Sequence, residues 1–452
     1  MTRVVRSLLE TMVAPEALVP ERETRWWRTG KGEENLPAAV VAPSTEEEFA
    51  RVLARASEEG WRVLPAGLGT WLEGGGPSSV VLVLSTGRMQ EVHEYEPADL
   101  TFTAGAGLSL AALREITEPH GQWLPLDPPG GFEGSLGAAV ALGTGGPLRH
   151  LYGTPRDHVL GLTLVSGDGR ILRWGGRVVK NVAGFDMTRL SIGSWGSLGV
   201  ITSVSARLFP IPEADLTLAI RGRDVSTLLP PARAMALSSL PLAAVELVDP
   251  LEMGNQGSPA FGGETGRPGL VLRLMGSQAQ VAEMEARIQS DLSDEMGTPE
   301  RLAGEESRAF HRTLGGWEKG AELVARLSLL PSEMRTLLEE ARELRSLGSR
   351  AEGANLFRLS LSAHVGTGIL RLAVSGLPEG EGALGPWIAS FQGLRDRLEE
   401  KGGSLTLNSG PASLVREVGA WGDMGGERGL MAGLKAQLDP KGILAPGRLG
   451  LG

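Results

Sequence analysis

The chain has no cysteine among its 452 residues. That absence excludes disulfides, thiolate nucleophiles, cysteine-ligated zinc and cysteine-held iron–sulfur clusters. An iron–sulfur electron acceptor would therefore have to belong to another protein. A basic surplus is missing as well. The formal net charge is −10, whereas a phosphate backbone needs a basic surface, so a nucleic-acid partner is disfavoured. Lysine is scarce: of the 44 Lys and Arg residues, six are lysines, which leaves 38 arginines. No run reaches the roughly 18 uninterrupted apolar residues of a membrane span. The opening MTRVVRSLLETMVAPEALV lacks the long apolar stretch and small-residue cleavage site of a signal peptide. The expectation is a cytoplasmic chain that meets the inner face of a membrane only indirectly, through partners.

What is present is an ordinary globular composition, 41% hydrophobic and 22% charged, in a length suited to two or three domains. Four segments are expected, with an α+β fold. Residues 1–35 form an N-terminal helical segment. In 36–212, short apolar runs such as AAVVAP, WRVLPAG, SSVVLVLS, MQEVHEYE and LTFTAGAG read as strands between glycine-rich turns. STEEEFARVLARASEEG reads as a helix, with Ser44 and Thr45 as cap candidates, acidic residues three positions on and Gly60 as its stop. In 213–422, LTLAIRG, GLVLRLMG and ILRLAVSG alternate with Glu- and Arg-rich helical stretches, the pattern of a sheet layered with helices. Residues 423–452 read as a short amphipathic helix, a Pro-Lys-Gly turn and an extended tail. GNQGSPAFGGETGRPG reads as a Gly-rich loop.

The glycine loops carry the strongest chemistry. LPAGLGTWLEGGG follows a strand directly. Gly67 and Gly69 are free to take φ > 0, so backbone N–H groups can converge on phosphate oxygens without a charged side chain, and Thr70 offers a hydroxyl. An ordinary tight turn is the competing explanation. A second cluster, Leu124 to Gly161, contains Gly134-Ser135-Leu136-Gly137, with almost no side-chain bulk, followed by Arg149, Tyr152 and Asp157. A third, GGRVVKNVAGFDMTRLSIGSWGSLGVITSV, adds Gly184, Gly193, Gly196 and Gly199. Three such loops between strands suggest a long, extended ligand such as a dinucleotide. The Rossmann fingerprint appears only as GEGALG, Gly380 to Gly385, where Glu379 and Glu381 would repel a pyrophosphate. That stretch reads as an exposed turn.

PAGLGT, GSLGAAVALGTGGPLRHLYGTPRDHVLG, KNVAGFDMTRL…GSWGSLGVIT and the tail LKAQLDPKGILAPGRL resemble the vanillyl-alcohol oxidase, PCMH-type FAD-binding family. Within it they are most similar to the E-type, FAD-binding subunit of bacterial glycolate oxidase. The resemblance implies an FAD domain of two α/β subdomains, a C-terminal α+β cap domain, and a short C-terminal helix that returns to the FAD domain. It implies that Pro65, Ala66, Gly67, Leu68, Gly69, Thr70 and Trp71 hold the pyrophosphate. Asp127, Pro128, Pro129, Gly134, Ser135, Leu136 and Gly137 would line the rest of the site with Arg149, Tyr152, Gly153, Asp157 and Ile201. Members with covalent flavin often carry a histidine in the first loop. This loop has none, so FAD is expected to be non-covalent.

Catalytic relatives carry a cap motif of the form Gly-His-x-Gly-Asp-Gly-Asn-x-His and a later Glu-His-Gly, which bind a divalent metal and a hydroxy acid. Here the first motif reads Ala363-His364-Val365-Gly366-Thr367-Gly368-Ile369-Leu370-Arg371, and the later one has Asn408 and Ser409. A single imidazole is a poor metal site, an arginine in the ligand set opposes a cation, and no carboxylate is expected near His364. No metal site is expected, and His364 reads more readily as a residue kept at a strand end for packing or hydrogen bonding. Arg358 and Arg371 are candidate clamps for a substrate carboxylate, with surface salt bridges as the plainer reading. His150 reads as structural, and Lys180 as a backbone or phosphate contact. Trp26 and Trp27 read equally as a partner contact or as core.

The resemblance thus implies an FAD subunit that joins a catalytic FAD subunit and an iron–sulfur subunit to oxidise glycolate or a similar small 2-hydroxy acid. The alternatives are an autonomous FAD-dependent 2-hydroxy acid or alcohol oxidase, and a scaffold that has lost FAD, an option left open by Leu68 where the family often has glycine.

Overall fold

The computed structural model describes residues 2–28, 36–75, 80–176, 185–249, 267–292, 297–349, 357–378 and 382–450. Lys31, Lys180, Asn181, Gly184, the start of GEGALG and most of GNQGSPAFGGETGRPG lie outside them. The chain forms two compact units. The first holds Met1–Gly145, Thr154–Ile211 and Asp423–Gly452, and the second holds Gly146–Gly153 and Pro212–Gly422. The N-terminal segment and the C-terminal tail thus both belong to the first unit. Residues 146–153, read from sequence as part of the FAD domain, belong to the second.

In the first unit, β1 (Ala39–Val41), β2 (Val63–Ala66) and β3 (Leu82–Ser85) form a parallel sheet in the order β1-β3-β2. Every residue of β1 and β3 is buried, as expected of a parallel sheet covered on both faces. The helix Glu46–Glu59 lies between β1 and β2 in the chain. The Thr45 hydroxyl accepts from Glu48 N (3.2 Å), the Glu48 carboxylate accepts from Ser44 N (3.0 Å), and Gly60 ends the helix at φ 67°. Its buried residues Phe49, Val52, Leu53 and Ala56 recur at helical spacing. The N-terminal helix Thr2–Glu10 adds Val5 and Leu9 to the same core.

The second sheet of this unit is antiparallel. It contains β4 (Val92–Glu96), β5 (Thr101–Gly105), β7 (Val159–Val165), β8 (Ile171–Gly175) and β9 (Val200–Arg207), in the order β4-β5-β9-β7-β8. A small pair joins β6 (Gln122–Trp123) to β10 (Phe209–Pro210). The tail returns to the first sheet: after the helix Arg428–Leu438, Val63 N donates to Ile443 O and Ala445 N to Val63 O, both at 2.8 Å. Lys435 secures this return, because its buried ammonium donates to Ser197 O, Leu444 O and the Asp439 carboxylate.

The second unit is built on an antiparallel sheet of eight strands: β11 (Ala214–Arg221), β12 (Leu242–Asp249), β13 (Gly269–Gly276), β14 (Glu300–Ala303), β15 (Leu323–Ser328), β16 (Arg358–His364), β17 (Ile369–Ser375) and β18 (Ser404–Ser409). Their order is β14-β11-β13-β12-β16-β17-β15-β18. Helices Val225–Ala236, Gln278–Asp291, Met334–Ser349 and Gly385–Glu400 bury Leu228, Ile288, Leu337 and Phe391 in the main core with Leu247, Leu361 and Leu372 of the sheet. Helix Glu305–Gly315 packs Phe310 and Leu314 on Val248 and Val271 in a separate cluster. Strand β12 is not singled out by the sequence pattern, and its presence changes the reading of His364.

Candidate functional site

The first unit contains an open cleft of about 590 Å³, a size ordinary for a small-molecule site. Of the residues assigned to the cofactor from sequence, Pro65, Ala66, Gly67, Gly69, Thr70, Trp71, Gly137 and Ile201 line it. They come from the end of β2, the loop after it, a short helix and β9, segments far apart in the chain.

Close packing explains several of the glycines. Gly69 has φ 88°, the left-handed region that favours glycine. Gly67 does not, and its reason is different: a Cβ there would sit 1.9 Å from Ser135 Oγ. Ser135 caps the helix Leu136–Leu142 by accepting from Ala138 N. The glycine lets the loop after β2 lie directly against that cap. A Cβ at Gly137 would meet Ala106 at 2.5 Å, and one at Gly134 would meet the Trp71 indole at 2.4 Å. Gly134, Ser135 and Leu136 do not line the cleft, and Leu136 is buried in the core with Phe102 and Leu108. Leu68 does not line the cleft: it is 37% exposed, and its side chain approaches Gly87. Its bulk therefore leaves the cleft open.

The structure adds residues that the sequence did not single out for the site. Trp195, at φ 53°, stands on the cleft wall between Gly193 and Gly196. Arg448, from the C-terminal tail, also lines the cleft. It is 5% exposed, donates from Nη2 to Leu72 O (2.7 Å) and lies over the Trp195 ring. Burial lowers its pKa to about 10, and among the described residues it has no carboxylate partner. The cleft thus combines glycine-lined walls, two indoles and one buried cation, which fits a flat ligand with an anionic linker.

Other assigned residues fall elsewhere. Asp127, Pro128 and Pro129 follow β6 and are not part of the cleft lining. The Asp157 carboxylate accepts from Thr154 N (2.8 Å) and Thr154 Oγ1 (3.1 Å) as part of a helix cap. Burial opposes ionisation there, but these bonds hold the carboxyl below its usual range. Arg149, Tyr152 and Gly153 belong to the second unit, where the helix Arg149–Tyr152 packs on β12. Burial raises the pKa of the Tyr152 hydroxyl, which feels both Arg273 and Asp215. Trp27 packs near Gly69, whereas Trp26 is 70% exposed under the Arg25 guanidinium.

Around His364 the second unit gathers a buried polar row. The expectation that no carboxylate accompanies this histidine is corrected. Glu246 of β12 is paired directly opposite His364 of β16, and its Oε1 lies 2.5 Å from His364 Nδ1. The two side chains are 1% and 5% exposed. Glu246 Oε2 also accepts from Ser362 Oγ (3.1 Å). Since a carboxylate only accepts, Nδ1 donates. His364 Nε2 is buried with no partner among the described residues. His150 stands over Gly366, where a Cβ would approach its ring to 2.5 Å, and burial lowers its pKa.

The arginines sort differently from the sequence expectation. Arg371 is buried and ion-paired with Glu318. Glu318 is raised above the usual carboxyl range by burial, against the pull of Arg371. Arg358 is exposed at the opposite end of β16 from His364, roughly 20 Å away at strand spacing, so it does not join Arg371. The residue that does is Arg326 of β15, directly opposite Arg371. Burial, with Arg149 and Arg371 adding to it, lowers the Arg326 pKa to about 10. Among the described residues it makes no hydrogen bond or ion pair. At the other metal-motif positions, Thr367 Oγ1 donates to His364 O, Ile369 is core, and Asn408 and Ser409 stand on β18, two strands beyond β17. Among the described residues there is no group of three His, Cys, Asp or Glu side chains that could hold a metal, and no helix is long and apolar enough to cross a membrane.

Comparison with known proteins places both units. Residues 37–175 match the FAD binding domain family, and residues 211–449 match the family described as FAD linked oxidases, C-terminal domain. Glycolate oxidase subunit GlcD of Bacillus subtilis (strain 168) is 27% identical over 426 residues, 92% of this chain and 89% of that protein. Glycolate oxidase subunit GlcE of Escherichia coli (strain K12) is 46% identical over 125 residues, 27% of this chain and 36% of that protein. The mitochondrial cytochrome-type D-lactate dehydrogenase of Arabidopsis thaliana is 31% identical over 273 residues, 60% of this chain and 48% of that protein. Among solved structures, 4-ethylphenol oxidase from Gulosibacter chungangensis shares the fold, with a TM-score of 0.74 at 18% identity, covering 99% of this chain and 97% of that one. FAD is the cofactor that these matches support. The chain belongs to the FAD-linked oxidases and is an FAD-linked oxidoreductase of the glycolate oxidase and D-lactate dehydrogenase type.

Proposed function

We propose that this chain is the FAD-binding, E-type subunit of a glycolate oxidase-type complex. The complex oxidises glycolate or a related 2-hydroxy acid to the 2-oxo acid. Its main catalytic site lies in a partner FAD subunit, and an iron–sulfur subunit takes the electrons away. One observation carries this reading: where catalytic relatives place metal ligands, this chain has Arg371, closed in an ion pair with Glu318, together with Thr367 and the buried Ile369. The absence of cysteine supports a separate iron–sulfur partner, and similarity to both D- and E-type glycolate oxidase subunits supports a multi-subunit setting. FAD is held non-covalently in the cleft of the first unit, since the loop Pro65–Trp71 offers neither histidine nor cysteine for a bond. Acid precipitation should leave the flavin in the supernatant.

A second reading is favoured by the His364–Glu246 pair. FAD, when bound, supplies a hydride acceptor. A histidine fixed at Nδ1 with a free Nε2 is the arrangement of a general base, and the unpaired Arg326 suits a substrate carboxylate. In that case the chain would oxidise a 2-hydroxy acid alone. Anaerobic addition of glycolate and D-lactate to the purified FAD-loaded chain separates the two. Flavin absorbance that persists, with turnover appearing only after addition of catalytic and iron–sulfur subunits, supports the subunit reading. Bleaching of the isolated chain by substrate sinks it.

A further inference from the structure

We propose that Arg448, delivered by the C-terminal tail, binds the pyrophosphate of FAD. A guanidinium out of water needs an anion or a full set of acceptors. Among the described residues Arg448 has neither: of its donors, Nη2 reaches Leu72 O, and Nε is buried with no partner. It opens onto the same cleft as Gly67, Gly69 and Thr70. The carbonyl that orients it belongs to Leu72, next to Trp71 of the glycine loop.

The backbone around Arg448 is built to hold it there. Val63 fastens the tail alongside β2, donating to Ile443 O and accepting from Ala445 N, so the strand that leads into the glycine loop also anchors the arginine. Ala445 and Leu449 adopt φ 43° and 57°, a region non-glycine residues rarely take, and such conformations persist only where surrounding structure enforces them. Trp195, itself at φ 53°, presents its ring 5.9 Å from the guanidinium carbon, close enough for a cation–π contact. The arginine is therefore positioned before any ligand arrives. A planar fork of donors suits a phosphate bidentately.

This assignment rests on the FAD site described above, and the test keeps the two apart. Apoprotein of the full chain is titrated with FAD and, separately, with riboflavin, which lacks the pyrophosphate. Arg448→Met is expected to weaken FAD by about tenfold or more, the scale of a lost charge-assisted bond, and to leave riboflavin affinity unchanged. Arg448→Lys is expected to fall between. Inorganic pyrophosphate is expected to compete with FAD in the wild type and not in Arg448→Met. Undiminished FAD affinity in Arg448→Met overturns the assignment. So does a parallel loss of riboflavin, which would move the arginine to the ring end of the cofactor. If Arg448→Met does not fold, failure of pyrophosphate to raise the melting temperature of wild-type apoprotein overturns it equally. A wild-type chain that takes up no FAD at all would sink the cofactor site itself.

Discussion

Glu246 and His364 face each other across two neighbouring antiparallel strands, with the carboxylate 2.5 Å from the imidazole Nδ1, although 118 residues separate them in the chain. The pair is closed to solvent, so its partners depend on each other. Replacing Glu246 by Ala removes the acceptor of both His364 and Ser362. Each buried group left without a partner costs about 1–3 kcal/mol, so a clear drop in the urea midpoint is expected. Glu246→Gln retains one acceptor and should fall less. Equal stability of Glu246→Ala and wild type would show that the pair does not hold the sheet.

Gly67 of the cleft lies directly against Ser135, so that a Cβ there would come within 1.9 Å of its hydroxyl. Gly67→Ala is expected to push the loop off the helix cap and reduce the flavin content of the purified protein. Removing the obstructing hydroxymethyl group should restore space, so Gly67→Ala with Ser135→Gly is expected to recover part of the flavin. Loss of the Ser135 cap by itself costs about 1 kcal/mol. The ratio of flavin to protein absorbance reads both effects.

Arg326 and Arg358 should behave oppositely toward a small carboxylate. Oxalate resembles the oxidised end of a 2-hydroxy acid. If the patch beside Arg326 holds such an anion, Arg326→Gln should weaken oxalate binding by roughly 10- to 100-fold, from a charged hydrogen bond of about 1.5–3 kcal/mol. Arg358→Gln, at the exposed end of β16, should leave it unchanged. Calorimetry on the FAD-loaded chain decides. An equal effect of the two substitutions would show that Arg326 has no special place.

His311 should make stability depend on pH. Burial, with Arg273 adding to it, holds this histidine well below its usual range, and its Nε2 lies 3.0 Å from Thr217 Oγ1. The folded state keeps it neutral while the unfolded state gains a proton below about pH 6.5. The unfolded state thus binds more protons, so stability falls as pH drops through that value, by at most about 1.4 kcal/mol per pH unit. Glu318, raised on folding, acts in the opposite sense, so the test is a difference: His311→Gln should show a slope shallower by about one proton between pH 7 and 5. Identical slopes would remove His311 as the cause.

Much of the FAD domain is legible in the chain. The cap of the helix Glu46–Glu59, its stop at Gly60 and Trp71 in the first glycine loop are local facts, set by spacing and residue type. Gly69 is needed for its φ, which short-range pattern can suggest. Gly67 is needed because Ser135 stands against it, and no local rule shows that.

The sequence by itself determined that no cysteine chemistry is available and that three glycine-rich loops lie between strands, and its resemblance to the family adds that the cap motif keeps His364 but has Arg371 at its last position. These follow from residue type and local order. Only the tertiary structure decided who stands beside them. Strand pairing brought Glu246 to His364 and Arg326 to Arg371, a second-unit carboxylate closed on Arg371, and the returning tail set Arg448 into the cleft. Sheet register and tail docking join residues tens to hundreds of positions apart, and nothing in their local sequence records the pairing.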